Sequence, residues 1–75
     1  MERYANNGGG SNVVAYEIEQ SSIKVQFGDG SIYLYTSQSA GTGNLENMKK
    51  LAKAGQGLNS FISRVVRKDY ASKLR

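Results

Sequence analysis

Seventy-five residues with no cysteine and no histidine make one domain, near the lower size limit for folding without staples. That composition excludes disulfides, thiolate zinc sites, zincin and finger sites, and Ser-His-Asp or Cys-His triads. The net charge of +4 is gathered in the second half of the chain, as on a polyanion-facing surface.

The N-terminal stretch MERYANNGGGS has no apolar region and does not read as a secretory signal. Residues 1–10 are expected to be a flexible Gly/Asn-rich arm. The glycine run lacks the Gly-Lys-Ser/Thr ending of a phosphate loop. No apolar run approaches the roughly 18 residues of a membrane helix.

Three strand-like segments follow. NVVAYEI (12–18) alternates, with Val14, Tyr16 and Ile18 on one face and Val13, Ala15 and Glu17 on the other. SIKVQF (22–27) sets Ile23, Val25 and Phe27 inward and Lys24 and Gln26 toward water. SIYLYT (31–36) comes after Gly28-Asp29-Gly30. Short consecutive strands joined by tight turns form an antiparallel meander, because parallel pairing needs a long crossover.

The turn leaves two registers open. A two-residue Asp29-Gly30 loop sets Phe27 opposite Ile32 and leaves Tyr33 and Tyr35 on the exposed face. A three-residue loop ending in a left-handed glycine pairs Val25 with Tyr33 and Ile23 with Tyr35, turning the tyrosines inward. One residue of slip inverts every side chain.

SQSAGTGN (37–44) reads as a loop ending in Asn44, a helix N-cap. Leu45, Met48, Leu51 and Ala52 then recur at helical spacing until Gly55 stops the helix. After the GQGLN corner, Leu58, Phe61, Ile62 and Val65 form a second apolar stripe, with Val66 at its edge and Arg64, Arg67 and Lys68 opposite. The expected fold is α+β, a three-stranded antiparallel meander followed by two amphipathic helices packed on one sheet face. The domain spans 11–70, with a basic tail over 71–75. The helices' need for an apolar floor favours the tyrosines in the core, which leaves Ile32 and Leu34 outside.

The segments SNVVAYEIEQSSIKVQFGDGSIYLY and AGQGLNSFI together resemble the KTSC domain, a small bacterial family also found at the C-terminus of some lysyl-tRNA synthetases. The resemblance rests on Ser11, Val13, Val14 and Tyr16; Val25 and Phe27 before the turn; the Tyr33-Leu34-Tyr35 motif; and Ala54, Gly57, Asn59, Phe61 and Ile62. It covers residues 11 to about 70. It implies a domain with no established enzymatic activity, and the synthetase context suggests RNA binding; a cytoplasmic location is expected from the absence of cysteine. This chain departs from the family in lacking a Val-Pro step after the second tyrosine and an aromatic at Leu58.

Two functions are weighed. Residues 1–48 carry Arg3 and Lys24 against five acids, a net of −3. Residues 49–75 carry eight cations against Asp69 alone, a net of +7. Lys49, Lys50, Lys53, Arg64, Arg67 and Lys68, all expected on solvent faces of the helices, form a candidate surface for tRNA, other RNA or single-stranded nucleic acid. Tyr33 and Tyr35 offer rings for stacking, yet rings buried beneath helices and cations on top of them do not make one patch. The alternative is a protein-interaction or homodimer face on the open side of the sheet, built from Val13, Ala15, Ile32 and Leu34. No catalytic residue, cofactor, metal site or membrane contact is expected.

Overall fold

In the computed structural model, which describes residues 1–7 and 9–75, the turn at residues 28–30 takes the three-residue form. Gly30 adopts φ +91°, its N–H donates to the Phe27 carbonyl at 2.9 Å, and the Phe27 N–H donates to Ser31 at 2.9 Å. The adjoining strands therefore pair Val25 with Tyr33 and Ile23 with Tyr35. Tyr35 lies in the core, and Ile32 and Leu34 fall on the opposite face.

The fold is α+β, with a five-stranded antiparallel sheet in the order β1-β2-β3-β4-β5. The central meander is β2 (Val13–Glu19), β3 (Ser22–Phe27) and β4 (Ile32–Thr36). Two-residue strands extend it at both edges: β1 (Glu2–Arg3) pairs with β2, and β5 (Ser72–Lys73) pairs with β4. The expected three-strand sheet thus gains an edge from each end of the chain.

The first of these additions corrects the reading of the N-terminal residues as a loose arm. Tyr4 is 3% exposed and belongs to the core, and its hydroxyl accepts the Leu58 N–H at 3.2 Å. Asn7 clasps the end of a helix: its backbone N–H donates to the Gly55 carbonyl at 2.6 Å, and its Nδ2 donates to the Ala54 carbonyl at 3.0 Å.

A second correction concerns the start of β2. Val13 pairs with Phe27 and Ala15 with Gln26, so the strand carries a bulge at Val14. The extra residue shifts the alternation. Val13 is buried beside Tyr16 on the core face, while Val14 is 43% exposed. Val13 therefore does not belong to the open sheet face.

The helical layer begins earlier than expected. Thr36 caps α1 (Ser37–Ala40) with a reciprocal capping box to Ser39. Gly41 separates it from α2 (Thr42–Ala54). Asn44 is accordingly inside α2 rather than at its cap, and its Nδ2 donates to the Ala40 carbonyl at 2.9 Å. α2 buries Leu45, Met48 and Ala52 and ends on Gly55 at φ +76°.

After the corner, α3 (Leu58–Phe61) runs into a π-helical segment (Ile62–Val66), closed by the Arg67 N–H donating to the Ile62 carbonyl at 2.6 Å. In an ordinary α-helix a stripe at spacing four drifts around the axis, whereas a wider π-turn nearly straightens it. Leu58, Ile62 and Val66 are thus all buried, and Val65, expected in the stripe, is turned out at 45% exposure. No helix among the described residues is long and apolar enough to cross a membrane.

Candidate functional site

Residues of the β3–β4 hairpin and of the end of the π-helical segment line one depression. An open groove of about 560 Å³ lies between them. Its aromatic wall is made by Phe27, Tyr33, Tyr35 and Tyr70, and its opposite lip by Ser63, Arg67 and Lys68.

The wall is held by ring-to-ring contacts. Tyr33 sits edge-on to Phe27 with centroids 5.7 Å apart and to Tyr70 at 4.7 Å. Tyr70 also meets Tyr35 at 6.2 Å. These T-shaped arrangements suit the quadrupoles of the rings. Tyr33 is only half-buried, so part of its ring faces the groove. The Lys73 Nζ lies 5.7 Å from the Tyr33 centroid, within cation–π range, because β5 places Lys73 opposite Tyr33.

The cationic lip follows from the helix terminus. Arg67 takes φ +37° and ψ −105°, outside helical geometry, and ends the segment. Its Nε donates to the Ser63 carbonyl at 3.2 Å, and its own carbonyl accepts a weak bond from the Tyr35 hydroxyl at 3.5 Å. Burial raises the Tyr35 pKa to about 12, with Tyr33, Tyr70 and Asp69 adding to the effect. Tyr35 is therefore a neutral hydroxyl at ordinary pH.

Asp29 lies at the hairpin end of the groove. Its Oδ1 accepts both the Ser31 hydroxyl at 2.7 Å and the Ser31 N–H at 3.0 Å. These bonds, the hydroxyl's first, lower its pKa from the ordinary value. Asn12 and Asn59 supply further amide groups along the wall. Among the described residues, no group of three or more His, Cys, Asp or Glu side chains is placed to hold a metal ion.

The six cations singled out from the sequence are not one surface. Arg67 and Lys68 line the groove, while Arg64 lines a different depression between α2 and α3. Lys50 and Lys53 are exposed on α2. Lys49 departs from the expected solvent face: its side chain is 11% exposed, and Nζ donates to the Gln20 carbonyl at 2.8 Å and meets Glu46 at 3.4 Å.

On the other side of the sheet, Ala15, Ile32 and Leu34 are half-buried around a Glu17–Lys24 ion pair of 3.5 Å. The backbone of β4 there is taken up by the C-terminal residues, with the Leu74 N–H donating to Ile32 and the Ala71 N–H to Leu34, both at 2.7 Å.

The structure overturns the mutual exclusion expected between tyrosines and cations. Tyr35 is core, but Tyr33 is only half-buried and shares the groove with Arg67 and Lys68. Lys73, Asn12 and Tyr70 were not legible as site residues. Their positions depend on β5 and on tertiary packing at the groove, neither of which leaves a periodic signature. Compared with protein-family models, with curated proteins and with solved structures, the chain matches none.

Proposed function

We propose that the chain is a small non-enzymatic domain that binds single-stranded nucleic acid, RNA foremost, along the groove beside the β3–β4 hairpin. The observation that carries this reading is the sharing of one groove by the half-buried Tyr33 ring, Tyr70, and the exposed Arg67 and Lys68. Single-strand binders combine these two components, aromatic faces for bases and cations for the backbone. Lys50, Lys53 and Arg64 add to the positive field without touching the bound strand. The resemblance to the KTSC domain and a cytoplasmic location belong to the same reading. The Tyr33-Leu34-Tyr35 motif then has a division of labour, Tyr35 in the core and Tyr33 at the ligand.

The test is fluorescence anisotropy of a labelled oligouridylate across a salt series. Binding is expected to weaken with salt, and Arg67→Gln with Lys68→Gln to lower the logarithmic salt slope by about 1.4, or about 0.7 per phosphate contact. Replacing Lys50 and Lys53 by glutamine should leave that slope nearly unchanged. No binding at about 50 mM salt, or equal loss in the two double variants, refutes the assignment. A protein-interaction role for the open face around Ala15, Ile32 and Leu34 is the second reading. Those residues are already partly covered, and Val13 is absent from the face.

A further inference from the structure

We infer that the outer depression between α2 and the helical segment 58–66 is a docking surface for an acidic amphipathic helix of a partner protein. This surface lies apart from the aromatic groove, and the inference is independent of nucleic-acid binding.

Three apolar side chains meet there. Leu51 and Phe61 are half-buried, Val65 is 45% exposed, and all three line a depression of about 690 Å³ together with Ser60 and Arg64. Val65 is outside because the π-turn gives its place in the core to Val66. Adjacent exposed apolar groups of this kind mark contact surfaces when they cluster.

The charge around the depression selects the occupant. Arg64 lines it, Lys50 neighbours Leu51 in α2, and from Asn47 to Lys68 the chain holds no acid. Among the described residues the ion pairs are Lys24–Glu17 and Lys49–Glu46, so Lys50 and Arg64 are left without a carboxylate partner. A second copy of the chain would set these like charges against one another. A nucleic acid would meet the cations but would cover Leu51 and Val65 with nothing that stacks. A helix with an apolar stripe at i, i+3, i+4 and i+7 and acidic flanks satisfies both features: the stripe enters the depression, and its carboxylates meet Arg64 at the lining and the field of Lys50 beside it. α2 has 13 residues, about 20 Å of length at 1.5 Å per residue. That is enough to lie along about three to four turns of such a helix.

An amide chemical-shift titration of the full chain tests this with two synthetic peptides of about 14 residues bearing the same leucine stripe. One is flanked by glutamate and the other by lysine, and an oligouridylate is titrated separately. The glutamate peptide is expected to shift Leu51, Phe61, Arg64 and Val65 and to bind at least about tenfold more tightly than the lysine peptide, a difference of about 1.4 kcal/mol. Val65→Ser and Arg64→Glu should each weaken it at least about fivefold while leaving the urea midpoint close to the parent's, since both side chains are exposed. Absence of shifts, equal binding of the two peptides, or no effect of the two substitutions overturns the inference. Dimerisation through Phe61 and Val65, or oligouridylate shifting those same residues, also overturns it by giving the surface to another occupant. Nucleic-acid binding fails separately, if oligouridylate leaves Tyr33, Arg67 and Lys68 unmoved.

Discussion

Replacing Tyr4 measures how far the N-terminal residues belong to the fold. The ring is 3% exposed, and truncating a buried aromatic to alanine costs about 3–5 kcal/mol. Its hydroxyl is the acceptor for the buried Leu58 N–H at 3.2 Å, and an orphaned buried donor costs about 1–3 kcal/mol. Tyr4→Phe isolates that second quantity, because the ring stays and only the acceptor goes. The two costs overlap, so Tyr4→Ala should lose about 4–5 kcal/mol in total. A chain of 75 residues has about 4–11 kcal/mol to lose, so the alanine variant should give up roughly half of its stability, and at the lower end of that range nearly all of it. Urea denaturation followed by far-ultraviolet circular dichroism reads both variants, and removal of residues 1–7 should resemble Tyr4→Ala. If Tyr4→Ala unfolds within about 0.5 kcal/mol of the parent, the range of ordinary surface substitutions, the docking of Tyr4 against Leu58 is wrong.

Gly55→Ala tests the same junction from the helix side. A Cβ there would lie 2.6 Å from the Ala5 Cβ, on a backbone at φ +76°, so a loss of about 2 kcal/mol or more is expected by urea denaturation. Alkaline pH gives an independent test in the core. The folded-state Tyr35 pKa is raised to about 12 from an ordinary value near 10. The resulting stabilisation is complete below pH 10 and is lost as pH rises through 12. About 2–3 kcal/mol should disappear across that window, and Tyr35→Phe, compared with the parent by urea midpoints at both ends, should remove this part of the decline.

The central meander was legible because Ile23, Val25 and Phe27 alternate cleanly with Lys24 and Gln26 and β3 contains no irregularity. Helical spacing likewise found Leu45, Met48 and Ala52 in α2. The failures share one physical origin, a change of period that single-residue counting does not foresee. At Val14 a bulge adds a residue to one strand, and at Ile62–Val66 a π-turn widens the helix. Each exchanges a buried valine for its neighbour. β1 and β5 are too short to show any period, and α1 is a four-residue polar turn whose Thr36–Ser39 capping box lacks the usual Glu or Gln. The groove was hidden for a further reason. Its hairpin residues lie more than thirty positions before Arg67 and Lys68, as the Tyr35–Arg67 bond illustrates, and only tertiary packing joins them.

The two short strands at the ends of the sheet also govern what the protein does when crowded. Without them, β2 and β4 would each present a long row of free backbone donors and acceptors, the template on which cross-β aggregates grow. Glu2–Arg3 and Ser72–Lys73 occupy part of those rows, and their two-residue length and charged side chains offer a poor surface for a further strand. Trimming either end should therefore do more than lower stability, because the molecules that stay folded would carry a bare adhesive edge.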